Sequence, residues 1–177
     1  MLRQELGERL AARGLPSSEH CIVVSVDQQK LWFFAGEAVR EYVVSTARAG
    51  VGSLKDSHRT PLGLHRVAEK IGAGAPIGMV FKSRQPTGRV WTEGPAPEDN
   101  LITSRILWLE GCEPGLNAGH DADGAVVDTK SRYVYIHGTN QWEKLGRPNS
   151  HGCVLLADTD VVELFDLTPA GTPVYLR

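Results

Sequence analysis

The sequence predicts a predominantly β fold, with strands packed or curled into two sheets and one or two short helices against them. Three observations carry that expectation. Runs rich in Val, Ile, Phe, Trp and Tyr recur at strand length, Gly, Pro and Asp clusters punctuate them, and a stretch near each end places apolar residues at helical spacing. A chain of 177 residues with 41% hydrophobic content can build one packed core but hardly two. Residues 1–16 read as an N-terminal helical extension and 17–177 as the main domain.

Leu2, Leu6 and Leu10 fall at i, i+4 and i+8 among charged residues, which predicts a short packing helix ending near Gly14 and Pro16. Cys21–Val26, Lys30–Ala35 and Ala38–Ser45 then read as strands of antiparallel hairpins, separated by Asp27-Gln28-Gln29 and Gly36-Glu37. Trp32, Phe33 and Phe34 are expected to pack in the core or at its edge. Residues 46–57 are glycine-rich and polar, hence a loop, and Thr60–Val67 resumes strand character. Residues 69–100 hold Gly72, Gly74, Pro76, Pro95 and Pro97, so a loop or flap is expected, interrupted by a short strand at Met79–Lys82. Gly72 and Gly74 are followed by no Gly-Lys-Ser/Thr, which excludes a phosphate loop.

Thr103–Leu109 and Tyr133–Ile136 are further strand candidates, the second leading into His137. Between them, His120, Asp121 and Asp123 read as a solvated turn, since the later acidic ligands of a calcium loop are missing. Asp158–Leu167 is expected to be a helix, capped by Asp158 or Asp160, with Val161, Leu164 and Phe165 on its apolar face. Thr168-Pro169 ends it, and a last strand follows at Val174–Leu176.

The chemistry concentrates in Tyr135–Leu156, which brings His137, His151 and Cys153 into one span. A thiol attacks as the thiolate, so a nucleophilic cysteine needs an imidazole or backbone dipoles beside it. Gly138, Gly146, Pro148 and Gly152 let the chain double back between His137 and Cys153. Gly152 in particular leaves amides around Cys153 able to face a developing oxyanion. The other two cysteines have different surroundings. Cys21 lies in the apolar run CIVVSV, and Cys112 is flanked by Glu110 and Glu113, which disfavour its thiolate. A zinc site from His137, His151, Cys153 and an acid is the competing chemistry, although the spacing matches no familiar zinc signature.

His137-Gly138-Thr139, followed by Ser150-His151-Gly152-Cys153, resembles the signature of the L,D-transpeptidase (YkuD-type) domains of bacterial peptidoglycan metabolism. Arg59-Thr60-Pro61-Leu62-Gly63 and the closing Val162-Glu163-Leu164-Phe165 extend the likeness over most of the chain from about Cys21. The resemblance implies an L,D-transpeptidase-type β-sandwich with a short N-terminal helix and a short helix after the nucleophile loop. It makes Cys153 the acyl-accepting nucleophile, His137 its general base and Gly138 the carbonyl that orients the imidazole. Ser150, His151 and Gly152 would shape the nucleophile loop, with Thr139 and Arg147 as further substrate or oxyanion candidates. Arg59 and Thr60 would face the substrate. One departure is Leu155, where many members carry Arg or Asn; Arg147, Arg132, Arg105 and Arg84 are the candidates to compensate.

By the same resemblance the substrate is a peptidoglycan stem tetrapeptide or muropeptide, cut after its third residue by a carbapenem-sensitive cysteine enzyme that needs no metal and no cofactor. A net charge of −2 and a pI near 6.3 give no electrostatic footprint for nucleic acid, and no stretch is apolar enough to span a membrane. The charged N-terminal segment lacks the apolar core of a secretory signal, and three sparse cysteines suit a reducing compartment. The expectation is therefore a cytoplasmic L,D-carboxypeptidase of peptidoglycan recycling, similar to signal-less members of the family. The alternatives are an L,D-transpeptidase acting in the periplasm or at the cell surface, and a catalytically degenerate peptide-binding module.

Overall fold

The computed structural model describes residues 2–92 and 100–177. Their order is α1 (Leu2–Ala11), β1 (His20–Ser25), β2 (Lys30–Ala35), β3 (Ala38–Val43), β4 (Gly63–Ile71), β5 (Met79–Lys82), β6 (Gln85–Val90), β7 (Ile102–Gly111), β8 (Tyr135–Gly138), β9 (Val154–Leu156), α2 (Asp158–Leu167) and β10 (Pro173–Leu176). All ten strands join one hydrogen-bonded network, ordered β3-β2-β1-β10-β4-β7-β5-β6, with β8 on β7 and β9 on β8. The architecture is thus mostly sheet with two helices, as expected.

β1 shows why its sequence is a continuous apolar run rather than an alternating one. Ile22 and Val24 face the main core, which includes Leu31, Phe33, Leu107, Leu109 and, from α2, Val161, Leu164 and Phe165. Cys21 and Val23 face the other way, into a cluster with Leu6, Leu10, Phe34, Leu64 and Tyr175. Both faces of the strand are covered, so both sets are apolar. Burying Leu6 and Leu10 is worth about 1.5–3 kcal/mol apiece, so α1 is held to the sheet by packing rather than by its intrinsic propensity.

Several elements differ from expectation. β4 begins at Gly63 and runs to Ile71, later than the apolar pattern suggested, because Thr60 engages other partners and Pro61 has no N–H for a ladder. β6 was not foreseen: QPTGRV has no alternation and all six residues are exposed. It pairs with β5 at the end of the sheet, where a proline is tolerated. The 93–99 part of the Pro-rich passage lies outside the described residues. α2 starts where expected, but Ala157 is its N-cap and no side chain caps it. Asp158 is instead drawn into the protein, where its Oδ1 accepts from Thr103 Oγ1 at 2.6 Å and Ser104 Oγ at 2.5 Å.

Candidate active site

β8 and β9 run parallel, with Ile136 opposite Val154 and His137 opposite Leu155. One step earlier in this register, Cys153 lies beside Tyr135. Because strand side chains alternate, Tyr135, His137, Cys153 and Leu155 share one face, while Ile136, Val154 and Leu156 enter the main core on the other. The register therefore fixes thiol and imidazole as diagonal neighbours on adjacent strands. Leu155 is fully buried in this layer, so its position holds a packing residue.

His137 is 3% exposed, and its Nδ1 lies 2.7 Å from Gly138 O. A carbonyl accepts but does not donate, so the ring proton sits on Nδ1 and the basic lone pair on Nε2. Tyr135 packs edge-on against the imidazole, with centroids 6.3 Å apart. Gly138 is required here, since a Cβ would come within 2.5 Å of Asp158 Oδ1 and 2.7 Å of Thr103 O.

The Cys153 sulfur takes a hydrogen bond from Tyr135 N–H at 3.4 Å and lies 3.6 Å from Tyr133 O as donor. Burial pushes its pKa up to about 11, against the opposing effects of the Tyr135 N–H and the Arg132 charge. Burial also pushes His137 down to about 4, the Gly138 carbonyl opposing it. The surroundings were expected to lower the resting thiol pKa, and desolvation reverses that. At neutral pH the site holds a neutral thiol beside a neutral imidazole. Such a pair transfers its proton during attack rather than resting as an ion pair.

The loop before Cys153 is clamped. Ser150 Oγ donates to Cys153 O at 2.6 Å and accepts from Gly152 N at 3.1 Å. The Gly152 N–H is therefore engaged and does not face an oxyanion as the sequence suggested. Gly152 has φ +130°, and Thr60 Oγ1 donates to its carbonyl at 3.0 Å while accepting from Ala47 N at 3.0 Å. Thr60 is fully buried and anchors the nucleophile loop rather than facing the substrate. Thr139 is also fully buried, donating to Asn100 Oδ1 and accepting from Gln141 N. Arg147 is exposed and donates to Glu143 O at 3.2 Å across the 3-10 turn Trp142–Lys144. Of the predicted residues, His137, Gly138, Ser150, Gly152 and Cys153 thus gather around the thiol, while Thr139 and Arg147 point to other partners.

His151 opens onto solvent. It forms an edge contact with His58, 5.6 Å between centroids, and both rings border two adjoining clefts. One, about 280 Å³, is lined by Arg48, Ala49 and Ser150. The other, about 430 Å³, is lined by Lys55, Asp56, Ser131, Arg132 and Tyr133. No local signal in the sequence marks His58 or Tyr133, and Arg132 was one of four candidate arginines; the 52–59 loop has to fold over before they meet. His65 is a different case: its Nδ1 lies 3.0 Å from Gly63 O and its Nε2 3.1 Å from Thr129 Oγ1, both ring nitrogens being engaged.

Among the described residues no group of three His, Cys, Asp or Glu is arranged to hold an ion. At 120–126, Asp121 Oδ1 accepts from Asp123 N and Ala125 N, an ordinary Asx-type turn. Cys21 is buried with its pKa raised by burial. Cys112 is raised too, but burial comes first among the causes and the flanking acids contribute less.

Comparison with known proteins agrees with this geometry. Residues 19–176 match the model of the YkuD L,D-transpeptidase catalytic domain. YqjB of Bacillus subtilis, named as a candidate L,D-transpeptidase, is 41% identical over 84 residues, 48% of this chain and 39% of that protein. An L,D-transpeptidase structure from Mycobacterium smegmatis superposes with a TM-score of 0.52 at 17% identity, covering 92% of this chain and 60% of that one. The L,D-transpeptidase LdtMt1, solved in complex with imipenem, gives 0.52 at 19% identity, covering 90% and 59%. At those identities the solved structures share the fold, and this chain spans less than two thirds of each relative's length.

Proposed function

This chain belongs to the L,D-transpeptidase catalytic domain family, whose members are cysteine-dependent acyl-transfer enzymes, and from that premise we propose that it cleaves peptidoglycan stem tetrapeptides after their third residue. The observation that supports this reading is the shared face of β8 and β9, which pairs Cys153 with an imidazole whose Nδ1 is fixed by Gly138 O.

The Cys153 proton passes to His137 Nε2 as sulfur attacks the third residue's carbonyl. The C–N bond to the terminal D-alanine then breaks, and the imidazolium returns the proton to the departing amine. The thioester is next attacked by water, releasing a tripeptide, or by an amine of a second stem, forming a crosslink. Either attack restores the thiol. A carbapenem would acylate the same sulfur, in keeping with the imipenem complex of LdtMt1.

Between these outcomes, our reading is an L,D-carboxypeptidase of peptidoglycan recycling in the cytoplasm. Its support is the set of three unbridged cysteines, Cys21, Cys112 and Cys153, which suits a reducing compartment. The test is incubation with a disaccharide tetrapeptide followed by mass spectrometry. Loss of one alanine supports the carboxypeptidase. Dimer formation or D-amino-acid exchange favours the transpeptidase, and an unchanged substrate contradicts the acyl-transfer reading altogether. Cell fractionation tests the location.

A further inference from the structure

The larger cleft holds a cation whose counter-charge is missing. Arg132 is half-buried, and its guanidinium donates to Gly52 O at 3.4 Å, Ser57 Oγ at 3.4 Å and Arg59 O at 2.8 Å. All three acceptors are neutral, and Arg132 forms no ion pair with any of the described residues. Burial works against its charge, whereas Cys153 and Asp56 favour it. A partly desolvated guanidinium held rigidly by carbonyls is best completed by an anion.

The cleft around it is suited to one negative charge. Lys55 and Arg132 outweigh Asp56 by a single positive charge when His58 and His151 are neutral. The cleft also lies near the thiol: Tyr133 O, from the residue after Arg132, is 3.6 Å from the sulfur, and the Arg132 charge acts on Cys153. In a tetrapeptide the terminal carboxylate lies one residue beyond the carbonyl under attack, a span of about 3.5 Å. The other three arginines named as candidates are less well placed. Arg105 is buried and donates to Ala75 O and Ser104 O, Arg84 stacks on Trp108 and Tyr133, and Arg147 is tied to Glu143 O.

We infer that Arg132 is the specificity-determining residue that reads the free carboxylate of the departing C-terminal residue, so that the enzyme selects chain ends over internal peptide bonds. This rests on the tetrapeptide reading above. It makes the 52–59 loop a positioning element, because that loop supplies every acceptor that holds the guanidinium.

The experiment compares kcat/KM for a stem tetrapeptide with a free C-terminus and for the same peptide as its C-terminal amide. Wild type should prefer the acid by about 10²-fold. Arg132→Met should erase the preference, its activity on the acid falling about 10²-fold further than its activity on the amide, through KM more than kcat; Arg132→Lys should restore part of it. Asp56→Asn leaves the guanidinium's anchors in place and should lower KM for the acid about two- to fivefold without moving the amide. Equal cleavage of acid and amide by wild type, an Arg132→Met variant that keeps the preference or loses both substrates alike, or an Asp56→Asn variant without effect on the acid would overturn the role of Arg132 alone. A wild-type protein inert toward both peptides would overturn the tetrapeptide reading, and this inference with it.

Discussion

Two buried histidines, His65 on β4 and His137 on β8, share nearly everything that usually marks a functional imidazole. Each is almost fully enclosed, each has Nδ1 on a glycine carbonyl, and burial lowers each to about 4. They differ at Nε2. That of His65 is bonded to Thr129 Oγ1, whereas that of His137 has no hydrogen-bond partner among the described residues and shares a strand face with Cys153. Burial and a displaced pKa therefore do not identify the base here; the unoccupied nitrogen next to a nucleophile does.

The sharpest break in that comparison comes from the partner His65 lacks. Cys153→Ala should reduce carbapenem acylation and peptide turnover by at least about 10³-fold, with Cys21→Ser and Cys112→Ser remaining active; progress curves of the three variants check this. Next, the histidines should separate in kind. His137→Ala should slow acylation about 10²- to 10⁴-fold with the fold intact. His65→Ala should cost about 1–3 kcal/mol of stability by stranding Gly63 O and Thr129, read by denaturant unfolding, and leave acylation by the folded protein unchanged.

Acid stability treats the two alike. Both native pKa values are depressed from 6.5 to about 4, so the unfolded chain binds more protons between those values. Their contribution is complete above pH 6.5 and is lost as pH falls toward 4, each histidine adding a slope of up to about 1.4 kcal/mol per pH unit. Unfolding titrations across that window should show His65→Asn with a shallower slope than wild type. The smallest effect concerns the loop clamp: Ser150→Ala, which removes the bonds to Cys153 O and Gly152 N, should cost about 1–2 kcal/mol and slow acylation about tenfold.

Local pattern carried much of the fold. The β1–β3 hairpins were legible because dense β-type runs alternate with short turn signals, and the apolar face of α2 was legible because Val161, Leu164 and Phe165 keep helical spacing. Edge strand β6 was not, since nothing in Gln85–Val90 is buried to leave a pattern. The cap of α2 was misread because Asp158 follows a long-range attraction to Thr103 and Ser104 rather than its own helix end. At the site, the motif put His137 and Cys153 in one span of sequence, and the parallel pairing of β8 with β9 makes them neighbours on one face. The cleft was hidden for the opposite reason. His58 and the adjacent pair Arg132 and Tyr133 come from two loops whose meeting depends on the 52–59 turn wrapping a guanidinium.

The most direct test of the Cys153–His137 partnership is quenched-flow acylation by a carbapenem, with the adduct located by peptide mapping. The account predicts an adduct on Cys153 in wild type, formed at least about 10²-fold more slowly in His137→Ala and at an undiminished rate in folded His65→Ala. An adduct on Cys21 or Cys112, or an undiminished rate on Cys153 without His137, would contradict it.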